Sequence, residues 1–226
     1  MRVKWIGQAG LLIEADGKII LVDPYLSNSV EAINPYNYRR KAVDESLFDV
    51  EPDMIILTHN HLDHTDPDTL KRYISEDSKI TVLAPDVAWQ NVRTFGGVGN
   101  NYVMFNRGTR WTEGNVEFYA VKAEHSDRSA IGVVINCDGK TYYITGDTLY
   151  NEQIFSDLPD KIDAVFLPIN GLGNNMNAVD AVRFAKRIGA KCAVPIHWGM
   201  FDEINPEIFE FDGAIIPKIY EYVNIK

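Results

Sequence analysis

Four side chains able to bind a metal ion fall within six residues, His59-Asn60-His61-Leu62-Asp63-His64, directly after the apolar run Met54-Ile55-Ile56-Leu57. The apolar run has the length and composition of a short buried strand, which Thr58 ends. Imidazole and carboxylate suit zinc and other divalent transition ions. Crowding them at the mouth of a strand makes a poor core, because a buried ionisable group is costly without a partner. It makes a good site. His59 and His61, two apart, point the same way in an extended segment. Asp63 and His64 then enter from the turn into the next helix, within reach of a second, adjacent ion. A lone exposed histidine is ordinarily just surface. Three with an aspartate, packed this closely behind a strand, define a candidate metal site.

Residues 2–23 have the pattern of a β-hairpin, with Asp16-Gly17 as its turn and Asp23-Pro24 at the end of the returning strand. Residues 25–50 lack a regular pattern, and a loop this long is often functional. Its Arg39-Arg40-Lys41 run is a candidate phosphate receiver or a solvated charge run. Asp66-Pro67-Asp68 opens a helix with Pro67 at the first position. Ile80 to Ala84 is a strand, and Asp86 caps a helix through about Phe95. Gly96-Gly97-Val98-Gly99 ends that helix and so is a cap, not a phosphate loop. Gly139-Lys140-Thr141 fails as a phosphate loop as well, because Val134 stands where a glycine is required.

Further strands fall at 102–106, 116–123, 131–136 and 141–145, then Ala164 to Pro168 and Lys191 to Ile196. The segment Ala178 to Ile188 has helical periodicity ended by Gly189. The chain has five histidines, and the two outside the hexapeptide, His125 and His197, each follow a strand directly. Asp147 has the same setting. Loops at one edge of a sheet are where a site is assembled from distant sequence, so these three join the candidate ligands. Without repeat, linker or low-complexity segment, residues 1–226 are expected to form a single domain.

With 46% hydrophobic and 24% charged residues, the composition is that of an ordinary soluble protein. No apolar stretch approaches a membrane span, and the N-terminus does not resemble a signal peptide. With two cysteines, Cys137 and Cys192, and no export signal, a cytoplasmic home with reduced thiols is expected. A formal charge of −10 opposes nucleic-acid binding, which needs a basic footprint. The expected partner is a small molecule, with neither nucleic acid nor membrane. Homo-oligomerisation stays open, because no sequence feature marks an interface.

In order and spacing, His59-x-His61-x-Asp63-His64, His125, Asp147 within Gly146-Asp147-Thr148, and His197 resemble the metallo-β-lactamase superfamily of hydrolases. Asp23 matches that family's first motif. The resemblance spans residues 3 to 200. It implies an α+β fold, a four-layer αββα sandwich of two mixed sheets with helices on the outer faces and a two-metal site at one edge. It further implies that His59, His61 and His125 hold one divalent ion, that Asp63, His64 and His197 hold the other, and that Asp147 bridges them. Zn2+ is the first choice for both ions and Mn2+ the second. The nucleophile would be a water or hydroxide between them, oriented by Asp63 as the catalytic carboxylate. Asp23 is expected to hydrogen-bond a ligating imidazole rather than to ligate.

Aspartate at 147, in place of the cysteine of many zinc β-lactamases, argues against antibiotic hydrolysis. Asp147 and His197 are 50 residues apart, too close for the domain inserted in nucleic-acid-cleaving members, and the 29 residues after His197 are too few for a glyoxalase II helical domain. Asp23-Pro24-Tyr25, Asn170-Gly171, Asn175-Met176-Asn177 and His197-Trp198-Gly199-Met200-Phe201 are similar to the branch of the L-ascorbate-6-phosphate lactonases. Hydrolysis of a lactone of a small anionic metabolite is therefore the expected activity, with phosphodiester cleavage as the alternative. From another class come a di-iron redox protein and a non-catalytic metal-binding module. Asn170 and Trp198, beside strand ends, are candidate substrate contacts, with Met176 as a further pocket residue.

Overall fold

Alternation in the strand sequences sets the layers. Ile20, Val22, Met54 and Ile56 point into a core shared with Val133, Ile135, Ile144 and Phe166, while their neighbours Leu21, Ile55 and Val134 point to opposite outer faces. Strands apolar on both faces must be covered on both faces, which gives two stacked sheets with helices outside. A computed structural model, describing residues 1–225, has this architecture.

The first sheet runs β1 (Arg2–Gly7), β2 (Gly10–Ala15), β3 (Lys18–Val22), β4 (Met54–Ile56), β5 (Thr81–Ala84) and β6 (Asn101–Met104), in that order. Its first three strands are antiparallel and the rest join in parallel. The second contains β7 (Arg110–Glu113), β8 (Val116–Lys122), β9 (Ile131–Cys137), β10 (Lys140–Ile144), β11 (Ala164–Pro168) and β12 (Cys192–Ile196), again in sequential order. Here β7 to β10 are antiparallel and β10 to β12 parallel. Both sheets are mixed, as the α+β expectation requires.

Among the described residues four short helices accompany them: α1 (Ser29–Ile33), α2 (Pro67–Tyr73), α3 (Asp86–Val92) and α4 (Ala178–Arg187). The Asp66 carboxylate accepts from the N–H groups of Asp68 and Thr69, and Pro67 opens α2, which lays Leu70 and Tyr73 on the outer face of the first sheet. Asn177 caps α4, which covers the second sheet with Ala178, Ala181, Phe184 and Ala185. Gly189, at φ 62°, ends it.

Several boundaries differ from expectation. The hairpin over 2–23 is a three-stranded meander, because the Gln8-Ala9 corner turns the chain once before Asp16-Gly17 does. Residues 25–50 include α1 and a 3-10 turn at Glu45–Asp49. Asp86 is the first helical residue of α3 and Pro85 its cap, and a 3-10 turn at Arg93–Phe95 follows. Strand β7 escapes sequence detection because it is an edge strand with no buried residue. Residues 220–223 run along the free edge of β1, where the N–H groups of Tyr220 and Val223 donate to Trp5 O and Val3 O at 2.8 and 2.7 Å. Both cysteines are free. Among the described residues, no helix is long and apolar enough to cross a membrane.

Candidate metal centre

The hexapeptide leaves β4 through Thr58, and Asp23, at the end of neighbouring β3, fixes its course. Asp23 Oδ1 accepts from the Thr58 N–H at 2.8 Å, and Oδ2 from the Thr58 hydroxyl at 2.5 Å. The same Oδ2 lies 2.8 Å from His64 Nδ1, so this ring nitrogen points away from the cluster and Nε2 points into it. Within the loop, the Thr65 hydroxyl donates to His59 O at 2.7 Å and the Asn60 N–H to Asp127 Oδ2 at 2.9 Å. Such outer hydrogen bonds hold ligating side chains in one orientation.

The second sheet delivers the remaining residues. His125 follows β8, Asp147 follows β10 and His197 follows β12. Gly146, at φ 60°, lets β10 come up against the hexapeptide's strand: a Cβ there would lie 2.7 Å from Ile131 O and 2.9 Å from Thr58 Cβ. The ends of the two sheets therefore meet at the cluster.

The donor atoms converge in three sets, each within 4.8 Å: His59, His61 and His125; Asp63, His64 and His197; and His59, His64 and Asp147. Asp147 Oδ2 is 3.4 Å from His64 Nε2, 3.2 Å from His197 Nε2 and 4.0 Å from His125 Nε2. His125 Nε2 is 3.1 Å from His61 Nδ1, and Asp63 Oδ2 is 3.4 Å from His197 Nε2. All seven candidate ligands are thus brought together, with Asp23 behind His64.

The cluster is electrostatically prepared for cations. Burial, helped by His64 nearby, holds His59 well below the usual imidazole range. Burial would lower His64 and His197 too, but facing carboxylates outweigh it. Asp147, Asp63 and Asp23 raise His64 well above its usual value, and Asp147 and Asp63 push His197 up to about 10. Reciprocally, the neighbouring imidazoles hold Asp63 and Asp147 down against the effect of burial. His59 Nε2, His64 Nε2 and Asp147 Oδ1 are buried with no hydrogen-bond partner. Unpartnered buried polar atoms cost about 1–3 kcal/mol each, and coordinated ions would satisfy them. The nitrogen and oxygen donors fit a divalent transition ion, Zn2+ and Mn2+ included.

A cavity of about 310 Å3 opens over the cluster, with His61, Asp63, Asp147 and His197 at its floor. Asn170 lines it. Trp198 does not. His197 adopts a left-handed backbone, φ 57°, and the next side chain turns inward, its ring 4.9 Å from that of Trp5 and its N–H on Pro195 O at 2.8 Å. Trp198, expected to contact substrate, thus lies outside this cavity and lines a separate groove. Met176 is buried in the core beneath α4. Arg39 is tied to Tyr25 O and the Tyr220 hydroxyl, at 2.8 and 3.2 Å, and Arg40 lies over the Tyr38 ring. Lys41 lines a separate groove beside Trp5 and Trp198. The basic run therefore offers the cavity no phosphate receiver.

Sequence reasoning missed Gln8 and the contact of Asn175 with the cluster. Gln8 Nε2 donates to Asp63 Oδ2 at 2.8 Å and lies 3.2 Å from His197 Nε2, while its backbone oxygen accepts from the His197 N–H at 2.9 Å. Asn175 Nδ2 donates to Asp147 Oδ2 at 2.8 Å. The available signal for Gln8 was a polar residue between Gly7 and Gly10 at a strand end. Gln8, Asp23, Asn174 and His197 are four of seven non-glycine residues with positive φ among the described residues, and all four adjoin this site.

A family model described as the Beta-lactamase superfamily domain matches residues 18–198. A UPF0173 metal-dependent hydrolase of Geobacillus thermodenitrificans is 30% identical across 97% of this chain and 95% of its own. The chain belongs to the metallo-β-lactamase superfamily of metal-dependent hydrolases, within the UPF0173 family. Among solved structures, an isothiocyanate hydrolase from Delia radicum gut bacteria superposes with a TM-score of 0.78, 21% identity and 98% coverage of both chains. Igni18, a metallo hydrolase of Ignicoccus hospitalis, gives 0.76 and 20%, over 98% of this chain and 97% of its own.

Proposed function

We propose that the chain hydrolyses the ester bond of a small lactone at a pair of divalent ions. His59, His61 and His125 would hold one ion, Asp63, His64 and His197 the other, and Asp147 would stand between them. The observation that carries this reading is the arrangement of donor sets, in which Asp147 groups with one histidine from each of the other two. When bound, such ions polarise a carbonyl oxygen and bring the pKa of coordinated water from 15.7 to about 7. The protein's own contribution is orientation. Asp23 holds His64, Asn175 holds Asp147, and Gln8 holds Asp63. Asp63 lines the cavity and is the carboxylate within reach of a proton during attack.

The test is elemental analysis of the purified protein, paired with assays on a lactone panel and bis(p-nitrophenyl) phosphate. An isothiocyanate joins the panel because of the similar hydrolase fold noted above. About two Zn or Mn per chain are expected, with lactone turnover lost in His61→Ala and Asp147→Ala. Iron with no hydrolysis would instead favour redox chemistry, and faster cleavage of the phosphodiester would replace the lactone.

A further inference from the structure

The walls of the cavity differ in character from its floor. Asn37, Asn170, Asn174 and Asn175 contribute four carboxamides, and Val30, Leu172 and Phe201 contribute apolar surface. Among the described residues, no lysine or arginine lines it, and Asp202 adds a carboxylate. The nearby basic run stays out of the lining: Arg39 bonds Tyr25 O and the Tyr220 hydroxyl, and Arg40 lies over the Tyr38 ring with its Nε and Nη1 unpartnered. Cations held in the floor would face Asp63 and Asp147, whose carboxylates offset part of their charge.

Two acceptors in the wall lack partners. Asn175 is only 4% exposed, yet its Oδ1 has no hydrogen bond, its Nδ2 being spent on Asp147. Asn170 Oδ1 is likewise buried and unpartnered. A buried acceptor without a donor is costly, and a ligand supplying N–H or O–H relieves that cost. A phosphate or carboxylate brings only acceptors to Asn170 and Asn175, and would meet the Asp202 carboxylate at the wall.

We propose that this cavity selects a small uncharged substrate carrying a hydrogen-bond donor, a hydroxyl or amide N–H, close to the bond that is cut. The inference deepens the hydrolase reading and rests on it. It replaces the anionic metabolite expected from sequence with a neutral one. Asn170 and Asn175 accept the donor, the apolar patch takes the carbon skeleton, and Asp202 repels anions.

The test uses three matched lactones and the metal-loaded protein: one bearing a free hydroxyl, its phosphorylated form, and its form lacking the hydroxyl. The hydroxyl lactone is expected to exceed both others in kcat/KM, by roughly tenfold over the phosphorylated one. The corresponding cyclic ethers, which cannot be hydrolysed, are tested for binding by NMR shift perturbation. Asp202→Asn, which keeps an oxygen to accept from the N–H groups of Gly199 and Ile204, should narrow the preference against the phosphorylated lactone several-fold. If no lactone is cleaved but the hydroxyl ether binds best, the lactonase reading falls and the selectivity stands. Preference for the phosphorylated compound in either assay overturns the inference. So does binding of none of the ethers without turnover of any lactone. A phosphate preference that Arg40→Gln abolishes would assign selectivity to the loop instead.

Discussion

The side-chain amide of Gln8 donates to Asp63 at 2.8 Å, joining residues 55 positions apart and linking the first strand-to-strand corner to the metal cluster. Gln8 also receives the backbone N–H of His197, so one residue contacts both the N-terminal and the C-terminal member of one donor set.

Gln8→Ala should therefore weaken metal retention more than it weakens the fold. Loss of an outer partner of this kind typically costs 10–100-fold in metal affinity. Competition against a chelator, read by elemental analysis, measures it. Unchanged retention would show that Asp63 and His197 hold their positions unaided.

Asp23 supports two elements at once, Thr58 and His64. Asp23→Asn tolerates the left-handed backbone there, φ 41°, and retains an acceptor for Thr58 while losing the charge facing His64. It should fold and bind metal about 10–100-fold more weakly. Asp23→Ala should in addition lose about 1–3 kcal/mol of stability, seen in urea unfolding.

Metal uptake should release protons. With His197 pushed up to about 10, its ring carries a proton at neutral pH without metal and ligates only after losing it, and the raised His64 acts in the same direction. Affinity should climb roughly tenfold per pH unit for each proton displaced, between pH 7 and 9. Calorimetry in buffers of different ionisation enthalpy counts the protons. In the metal-free protein the contribution of His197 to stability has the opposite slope. It is complete below pH 6.5 and is lost as pH rises through about 10.

Asp163 gives a second pH dependence, far from the cluster. Burial alone would raise it, but Lys191, the Thr141 N–H and Lys161 hold it down at about 2. A depressed carboxyl stabilises the native state above its unfolded value of 3.8, and that contribution fades as pH falls through about 2. Because Lys161 and Lys191 are exposed and screened, Asp163→Asn should lower stability at pH 7 by only about 1 kcal/mol and flatten the acid limb of the unfolding curve.

The ligands were legible because each combines a chemically distinctive side chain with a strand end. The layering came with the family resemblance, and Ile20-Leu21-Val22 and Met54-Ile55-Ile56, apolar on both faces, agree with it. Gln8 and Asn175 were not legible. An amide has no signature of its own, and its role depends on two sheets meeting, which local pattern does not encode. The placement of Trp198 outside the cavity was hidden for a related reason: adjacency to His197 in sequence becomes opposition in space when the His197 backbone is left-handed. The cavity's charge was hidden too, because Arg39-Arg40-Lys41 carries no sign of whether its side chains face the site or are tied down elsewhere.

Residues 2–104 build one sheet and supply His59, His61, Asp63 and His64, whereas residues 110–196 build the other and supply His125, Asp147 with β10, and the strand leading to His197. A bound ion would therefore clasp the two halves of the chain across their interface. Free metal at a thousand times its dissociation constant would add about 4 kcal/mol against unfolding. Metal supply would then tune the protein's resistance to unfolding as well as its turnover, while the core shared by the two sheets would still hold a chain stripped of its ions.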